Sequence, residues 1–324
     1  MSEMTYREAL NMALKEEMRR DPRVFIIGED VALYQGAYKV TQGLLAEFGG
    51  KRVKDTPISE EIIIGASIGA AMTGLRPVAE MMTINFALLA MDQIANNAAK
   101  IHSMFGGQVK VPMVIRAAQG AGKQLGAQHS QHLEAYFLHC PGLRVVMPAT
   151  PADAKGLLKS AIRDDNPVIF LEDQGLYSTT GDVPAGEYIL PLGKANVARH
   201  GEDISIISYS RMVLECLEAA DELATQGINA EVIDLRCLNP MDTKTIFDSV
   251  KKTGMAIVVN EAWRTGSVAA EIASLIMENC FEFLDAPVVR ISSQDVPMPY
   301  NKELEQAALP HKQDIVNAAI KLLH

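Results

Sequence analysis

Residues 143–171 read LRVVMPATPADAKGLLKSAIRDDNPVIFL, and the two apolar runs at the ends of this stretch decide the fold. Residues 143–147 and 168–171 are short, rich in Val, Ile and Leu, and bounded by Pro or polar residues, as buried strands are. Between them, Thr150-Pro151-Ala152-Asp153 offers a cap, a proline at the first helical position and an acid in the first turn. A helix therefore starts there and runs to Arg163. Strand, helix and strand in such close succession form the crossover that makes a parallel sheet covered on both faces.

The alternation extends outward from this unit. Thr5 and Glu8 stand at capping-box spacing ahead of a helix with Tyr6, Leu10, Ala13, Leu14 and Met18 on its apolar face. Asp21-Pro22 ends it, and residues 24–28 follow as a strand. Helices are expected over 59–73, 91–105 and 128–138, with strands over 78–82 and 111–115. From 174 to 199 the rhythm breaks, with four Gly, two Pro and no helical period. Beyond it, strands 204–209, 230–235, 256–260 and 288–291 alternate with helices 212–225 and 242–252, a further helix and a terminal one. The reading is an α/β protein with a parallel-sheet domain at 1–185, a linker at 186–199 and a second α/β domain at 200–324.

The composition suits that architecture. Of 324 residues, 48% are apolar but only 6% aromatic, so small and aliphatic side chains carry the packing of helices on strands. A net charge of -10 leaves no basic stripe for nucleic acid. Cys140, Cys216, Cys237 and Cys280 lie far apart without a CxxC pair, which fits core packing in a reducing compartment. The opening MSEMTYREAL has neither a basic n-region nor an apolar h-region. No apolar run reaches the ~18 residues of a membrane span. The expected location is the cytoplasm.

Several residues are candidates for chemistry, each with a plainer reading beside it. Glu60 and Glu61 open the 59–73 helix, where the helix dipole alone would favour an acid, and pattern does not separate them. Gly65 and Gly69 lie one turn apart and clear one face for close approach by another backbone. Each costs about 1 kcal/mol of helix propensity relative to Ala, so a subunit or cofactor contact should compensate. The loop Gly120-Ala121-Gly122-Lys123-Gln124-Leu125-Gly126 fails the P-loop pattern, because Ala117 and Gln124 stand where Gly and Ser or Thr belong. Its GxGxxxG spacing also misses the dinucleotide fingerprint by one residue. His129 and His132 are spaced to share a helix face, with Glu134 and His139 near. A metal cluster there lacks a well-spaced third ligand, and a single proton-handling His after the loop is the better reading. Asp164-Asp165-Asn166 and residues 292–297 read as polar turns.

Longer stretches carry a family resemblance. Arg7-Glu8-Ala9-Leu10, Gly28-Glu29-Asp30-Val31, Asp55-Thr56-Pro57-Ile58-Ser59-Glu60, Gly69-Ala70-Ala71-Met72 and Gly74-Leu75-Arg76-Pro77 stand in the first half. Ala127-Gln128-His129-Ser130-Gln131, Pro141-Gly142-Leu143, Asp153-Ala154-Lys155-Gly156-Leu157 and Val232-Ile233-Asp234-Leu235-Arg236 follow. Nearly end to end, the chain resembles the β subunit of the E1 component of 2-oxo acid dehydrogenase complexes, particularly the pyruvate type.

The resemblance implies a thiamin-diphosphate-binding pyrimidine-type domain followed by a transketolase C-terminal-like domain. It implies that Glu60 hydrogen-bonds N1′ of the cofactor's aminopyrimidine, that Met82 and Phe86 pack around that ring, and that His129 faces the substrate and the incoming lipoyl group. Leu89 departs from the pyruvate-type pattern, where Gln is common. A potassium ion is implied at the backbone carbonyls of Met113, Ala161, Ile162, Asp164 and Asn166. Related enzymes anchor the diphosphate through Mg2+ with a Gly-Asp-Gly segment followed by Asn-Asn. This chain has no Gly-Asp-Gly, and its one Asn-Asn (Asn96-Asn97) follows none. The metal ligands are therefore expected from an α subunit in an α2β2 heterotetramer, with the E2 lipoyl acyltransferase core as the next partner. That core is expected to dock on the smaller domain, near Asp295-Val296-Pro297.

The implied reaction is decarboxylation of pyruvate with reductive acylation of lipoyl-E2. Branched-chain 2-oxo acids and acetoin are the alternatives on the same scaffold. A dinucleotide-dependent dehydrogenase and a non-catalytic scaffold subunit are the alternatives from other classes.

Overall fold

The capping box at the chain's start is formed. Thr5 Oγ1 accepts from the Glu8 N–H at 3.2 Å, and the Glu8 carboxylate accepts from the Thr5 N–H at 2.8 Å. It launches α1 (Tyr6–Arg20) directly after β1 (Ser2–Thr5). The computed structural model describes residues 1–323. They divide into two units, 1–119 with 136–192, and 120–135 with the chain from 193 onward.

In the first unit, β2 (Val24–Gly28), α2 (Leu44–Phe48), β3 (Val53–Asp55), α3 (Glu60–Met72), β4 (Arg76–Thr83), α4 (Ile101–Met104) and β5 (Val114–Gln119) come first in the chain. After α5 (Glu134–Leu138), which straddles the division, come β6 (Arg144–Val146), α6 (Pro151–Arg163), β7 (Val168–Asp173) and β8 (Thr180–Val183). The strands lie parallel in the order β6-β7-β5-β4-β2-β3. Leaving β2, the chain places β3 on one side and β4 on the other. Such a reversal of strand order opens a crevice at the carboxyl ends, where open α/β sheets bind ligands. The short β1 and β8 pair antiparallel, Ser2 opposite Val183.

The second unit holds β9 (Asn196–Arg199), β10 (Ile204–Ser208), α7 (Met212–Thr225), β11 (Ala230–Asp234), β12 (Cys237–Asn239), α8 (Thr243–Thr253) and β13 (Ala256–Trp263). Then follow α9 (Val268–Cys280), β14 (Val289–Ser293), α10 (Lys302–Ala308) and α11 (Lys312–Leu323). Its sheet runs β14-β13-β10-β11-β9, parallel except for β9. Ile204, Ile206, Val232 and Ile257 meet Cys216, Ala219 and Leu223 of α7 and Ile315 and Ala319 of α11 in one buried cluster.

Two helix expectations need correcting, and the segment 186–199, expected as a linker, has structure of its own. Lys159 Nζ, fully buried on α6, bonds the Glu187 carboxylate at 2.8 Å, Lys155 Nζ reaches the Pro184 and Gly186 carbonyls, and residues 196–199 form the edge strand β9. The expected 128–138 helix is reduced to α5: the loop before it turns through left-handed positions at Gly120, Gly122, Gln124 and Gly126, and helix begins only at Glu134. The expected 91–105 helix is broken into a π turn, Gln93–Ala98, and the short α4. All four cysteines are free, and Cys216, Cys237 and Cys280 are buried. No helix among the described residues is long and apolar enough to cross a membrane.

The middle of the first sheet contains a guanidinium. Arg116 on β5 is ion-paired to Glu80 on β4 and to Glu172 on β7, with Nη2 at 2.7 Å from Glu172 Oε2. Tyr177 Oη donates to the same oxygen at 2.7 Å. Burial opposes a charge on Arg116, but Glu172 and Glu80 outweigh it and raise its affinity for the proton. Arg116→Met would leave two buried carboxylates uncompensated, at a cost of about 3–5 kcal/mol. Urea unfolding should show that loss, and adding Glu80→Gln and Glu172→Gln should restore part of it. An unchanged midpoint for Arg116→Met alone would refute the central role given to this triad.

Candidate active site

The carboxyl edge of the first sheet is tied down by one aspartate. Asp55 accepts the N–H groups of Ala32 at 2.6 Å and Leu33 at 3.1 Å, while the Thr56 N–H donates to the Gly28 carbonyl at 3.0 Å. The turn after β2 and the approach to α3 are thus stitched together. Glu60 opens α3 with only 6% of its surface exposed, whereas Glu61 is exposed and accepts from Gln93. Burial separates two acids that the sequence left equivalent.

Glu29, at the end of β2, is a functional candidate that sequence reasoning passed over. It is half-buried, and its carboxyl is pushed up by burial first, then by the neighbouring charges of Glu60 and Asp30. A carboxyl whose proton affinity is raised at a partly buried position is a candidate for proton handling. The sequence signal is the stretch Gly28-Glu29-Asp30-Val31, which carries part of the family resemblance.

Met82 lies near the end of β4 and Phe86 in the 3-10 turn Ile84–Ala90 that follows, both half-buried. α3 packs on β4 and on this turn. Glu29, Glu60 and Met82 therefore all stand at strand ends or helix starts on the edge where strand order reverses. A buried carboxylate, a thioether and an aromatic ring suit a flat heteroaromatic with a protonatable nitrogen. The thiamin pyrimidine is such a group. Leu89 is 66% exposed and adds no polar contact here.

In the second unit the 120–126 loop does bind anions, but they are side chains of the same unit. Ala121 N–H donates to Glu261 Oε1 at 3.0 Å, Gly122 N–H to Glu305 Oε1 at 3.0 Å, and Gln124 Nε2 to Glu305 Oε2 at 2.6 Å. His129 is half-buried, with its N–H on the Gly126 carbonyl at 3.2 Å. It does not share a helix face with His132, since both precede α5. His132 is buried, with Nε2 3.0 Å from Glu261 Oε1 and Nδ1 3.7 Å from Glu134 Oε2. Arg211 Nε bonds the other oxygen of Glu261 at 2.6 Å, and Tyr209 Oη donates to Glu134 at 2.9 Å. His132 is thus one cation of a buried charge network, while His139 is exposed.

The 292–297 segment is more than punctuation. Pro297 and Asp295, the latter fixed by Thr265 Oγ1 at 2.6 Å, line a cavity of about 610 Å³ with Gln128, Gln131 and Trp263. Gln128 flanks His129, so this cavity adjoins the loop.

The five residues expected around potassium are gathered at the C-terminus of α6 and the starts of β5 and β7. Two of their carbonyls already face a cation. Arg76 Nη1 donates to the Ile162 oxygen at 3.0 Å and to the Asp164 oxygen at 2.9 Å, and the Met113 oxygen accepts from the Val168 N–H. The donor set fits a monovalent ion only as a partner sharing oxygens with Arg76.

Residues 2–180 match the family model for the transketolase pyrimidine-binding domain, and residues 193–315 that for the transketolase C-terminal domain. The pyruvate dehydrogenase E1 component subunit beta of Rhizobium meliloti is 53% identical over 98% of this chain and 69% of its own length. The namesake from Rickettsia bellii is 50% identical over 99% of both chains, and the mitochondrial one of Dictyostelium discoideum 51% over 98% of this chain and 90% of its own. Among solved structures, a split-gene transketolase in an inactive β4 tetramer superposes with a TM-score of 0.83 at 24% identity, over 99% of this chain and 98% of that one. That likeness speaks to fold alone.

The His132 network gives a pH test. Burial works against its charge, yet Glu261 and Glu134 outweigh burial and push the imidazolium up to about 10, while His132 and Arg211 hold the Glu261 carboxyl below the usual range against its own burial. A histidine raised above its unfolded pKa of ~6.5 stabilises fully below that value and loses the contribution as pH rises through the folded one. His132→Gln should therefore cost about 3 kcal/mol near pH 6, with the deficit fading toward pH 10. A deficit independent of pH would show that the ring is neutral.

Proposed function

The chain belongs to the β-subunit family of the pyruvate dehydrogenase E1 component, and on that premise we propose how its residues serve the decarboxylation of pyruvate with thiamin diphosphate. The reading rests on one observation above the others. At the edge where strand order reverses, Glu60 is buried and its charge acts on Glu29, while Glu61 is exposed. Glu60 holds and returns a proton at N1′ of the aminopyrimidine, a role that needs a carboxylate in a partly dry site. Met82 and Phe86 pack on the ring and exclude water. Glu29, its carboxyl pushed up by burial and then by the Glu60 charge, adds a second acid to this edge. When bound, thiamin diphosphate supplies the electron sink for loss of CO2. His129 handles protons when the acyl group passes to the lipoyl acceptor.

The chain's other partners belong to the same proposal. An α subunit supplies the Mg2+ ligands and the diphosphate site in an α2β2 assembly, and the E2 lipoyl acyltransferase core receives the acyl group. An exposed stripe on α3 supports a subunit contact: Ile62 is 66% exposed, and a Cβ at Gly69 would meet nothing within 4 Å. Gly65, one turn earlier, faces Gln93 of the chain itself. The dinucleotide alternative loses its site, because Glu261 and Glu305 engage N–H groups of the 120–126 loop.

Two experiments test these assignments. In the reconstituted α2β2 enzyme, Glu60→Gln should lower kcat by about 10²–10⁴-fold with assembly intact, and Glu61→Gln should stay close to wild type. Full turnover by Glu60→Gln would remove Glu60 from the chemistry. For potassium, Arg76→Met should open the carbonyl cradle, so that exchanging Na+ for K+ raises the melting temperature of the variant more than that of the wild type. Melting temperatures indifferent to the choice of Na+ or K+ in both proteins would end the potassium assignment.

A further inference from the structure

We propose that Glu305 is a positioning residue for His129, acting by filling the anion-binding turn at 120–126 from which the His129 backbone departs. The proposal rests on the role given to His129 above, and on geometry confined to one unit. In successive turns the loop reaches left-handed φ at Gly122 (+88°), Gln124 (+55°) and Gly126 (+78°). Consecutive N–H groups in turns of this kind converge and form a concave cradle for an anion. Here the anion is a side chain. Glu305 Oε1 receives the Gly122 N–H at 3.0 Å and the Gln124 N–H at 3.2 Å, and Oε2 receives Gln124 Nε2 at 2.6 Å. The carboxylate is fully buried, so these bonds do not compete with water.

The rest of the segment around α10 presses on the same loop. A Cβ at Gly126 would fall 2.5 Å from the Tyr300 ring at a left-handed φ, so a larger residue there would displace that ring and strain the backbone. Ala121 packs with Met298, Ala308 and Leu309 in one buried cluster. α10 is itself set by Asn301, whose Oδ1 accepts the Leu304 N–H at 3.0 Å. From Gly126 the path to His129 is one turn long, closed by the His129 N–H on the Gly126 carbonyl. Nothing in this path is held by a regular helix or strand. The backbone position of His129 therefore depends on the carboxylates that fasten the loop, Glu305 at its middle and Glu261 at its start.

The geometry separates Glu305 from an ordinary core residue. Glu305→Gln keeps a carbonyl oxygen for the two backbone donors, and Gln124 can turn its amide to accept from the new NH2. Glu305→Ala removes every acceptor. In the α2β2 holoenzyme with a lipoyl domain as acceptor, Glu305→Ala should lower kcat for reductive acylation about tenfold, as a modest displacement of a proton-transfer group does, short of its outright removal. Pyruvate oxidation by an artificial electron acceptor, which bypasses acyl transfer, should fall no more than about twofold. Glu305→Gln should restore acylation to within about twofold of wild type. Because Glu305 acts through His129, the double variant His129→Ala/Glu305→Ala should be no slower than His129→Ala alone. Amide hydrogen exchange over 121–129 should quicken in Glu305→Ala and not in Glu305→Gln.

Equal loss of both activities, multiplying losses in the double variant, or wild-type exchange in Glu305→Ala would each overturn the proposal. Should His129→Ala itself leave acylation intact, the role of His129 falls. The exchange measurement then still decides whether Glu305 holds the loop.

Discussion

A guanidinium almost without access to water is the fixed point of the first unit. Arg116 lies on β5 between β4 and β7 and bonds a carboxylate from each, so three central strands are joined by charge as well as by their backbone ladders. An ion pair so buried is poor evidence of net stability, because desolvation consumes much of what attraction returns. Its effect is on arrangement. With Arg116 in place, neither Glu80 nor Glu172 can move without leaving a charge unpaired, and a slip in register would do that to both. Glu80 sits two residues before Met82, so the same constraint sets where the β4 edge ends. Glu172 passes it on to Tyr177, whose ring stacks on Tyr38 with centroids 4.8 Å apart and meets Tyr6 edge-on at 6.1 Å.

Carboxylates on backbone N–H groups do the corresponding work in the loops. Asp55 joins two segments at the sheet's carboxyl edge, and Glu261 and Glu305 fasten the glycine-rich turn in the second unit. In each case an acid distant in sequence substitutes for the regular hydrogen bonding that a loop lacks. Such ties are stronger than neutral hydrogen bonds and need no cofactor to form. The crevice edge and the His129 loop are thereby held by the chain's own side chains.

Much of the architecture was legible because it is written locally. The Thr5–Glu8 capping box, the Thr150-Pro151-Ala152-Asp153 helix start and the 212–225 helix all follow from residues within a turn or two of one another, and the structure has them there. The short antiparallel strands β1, β8 and β9 were not legible. Ser2 pairs with Val183 and Arg199 with Val232, and polar strands of four residues carry no periodicity of their own. The site divides the same way. Family motifs singled out Glu60, Met82, Phe86 and His129. Pattern could not choose between Glu60 and Glu61, because burial depends on packing against the turn after β4. The helix expected over 128–138 begins only at Glu134, and the loop before it is fastened by Glu305, some 180 residues away.

The cavity beside the loop has a spectroscopic consequence. The chain contains one tryptophan, and Trp263 forms part of that cavity's wall. Its indole N–H is anchored on the Val296 carbonyl at 2.8 Å, so the ring has little freedom to average over surroundings. All tryptophan emission from this subunit therefore originates at a single wall a few residues from His129. Its colour and its quenching report on one side of one cavity, and nothing else in the chain dilutes the signal.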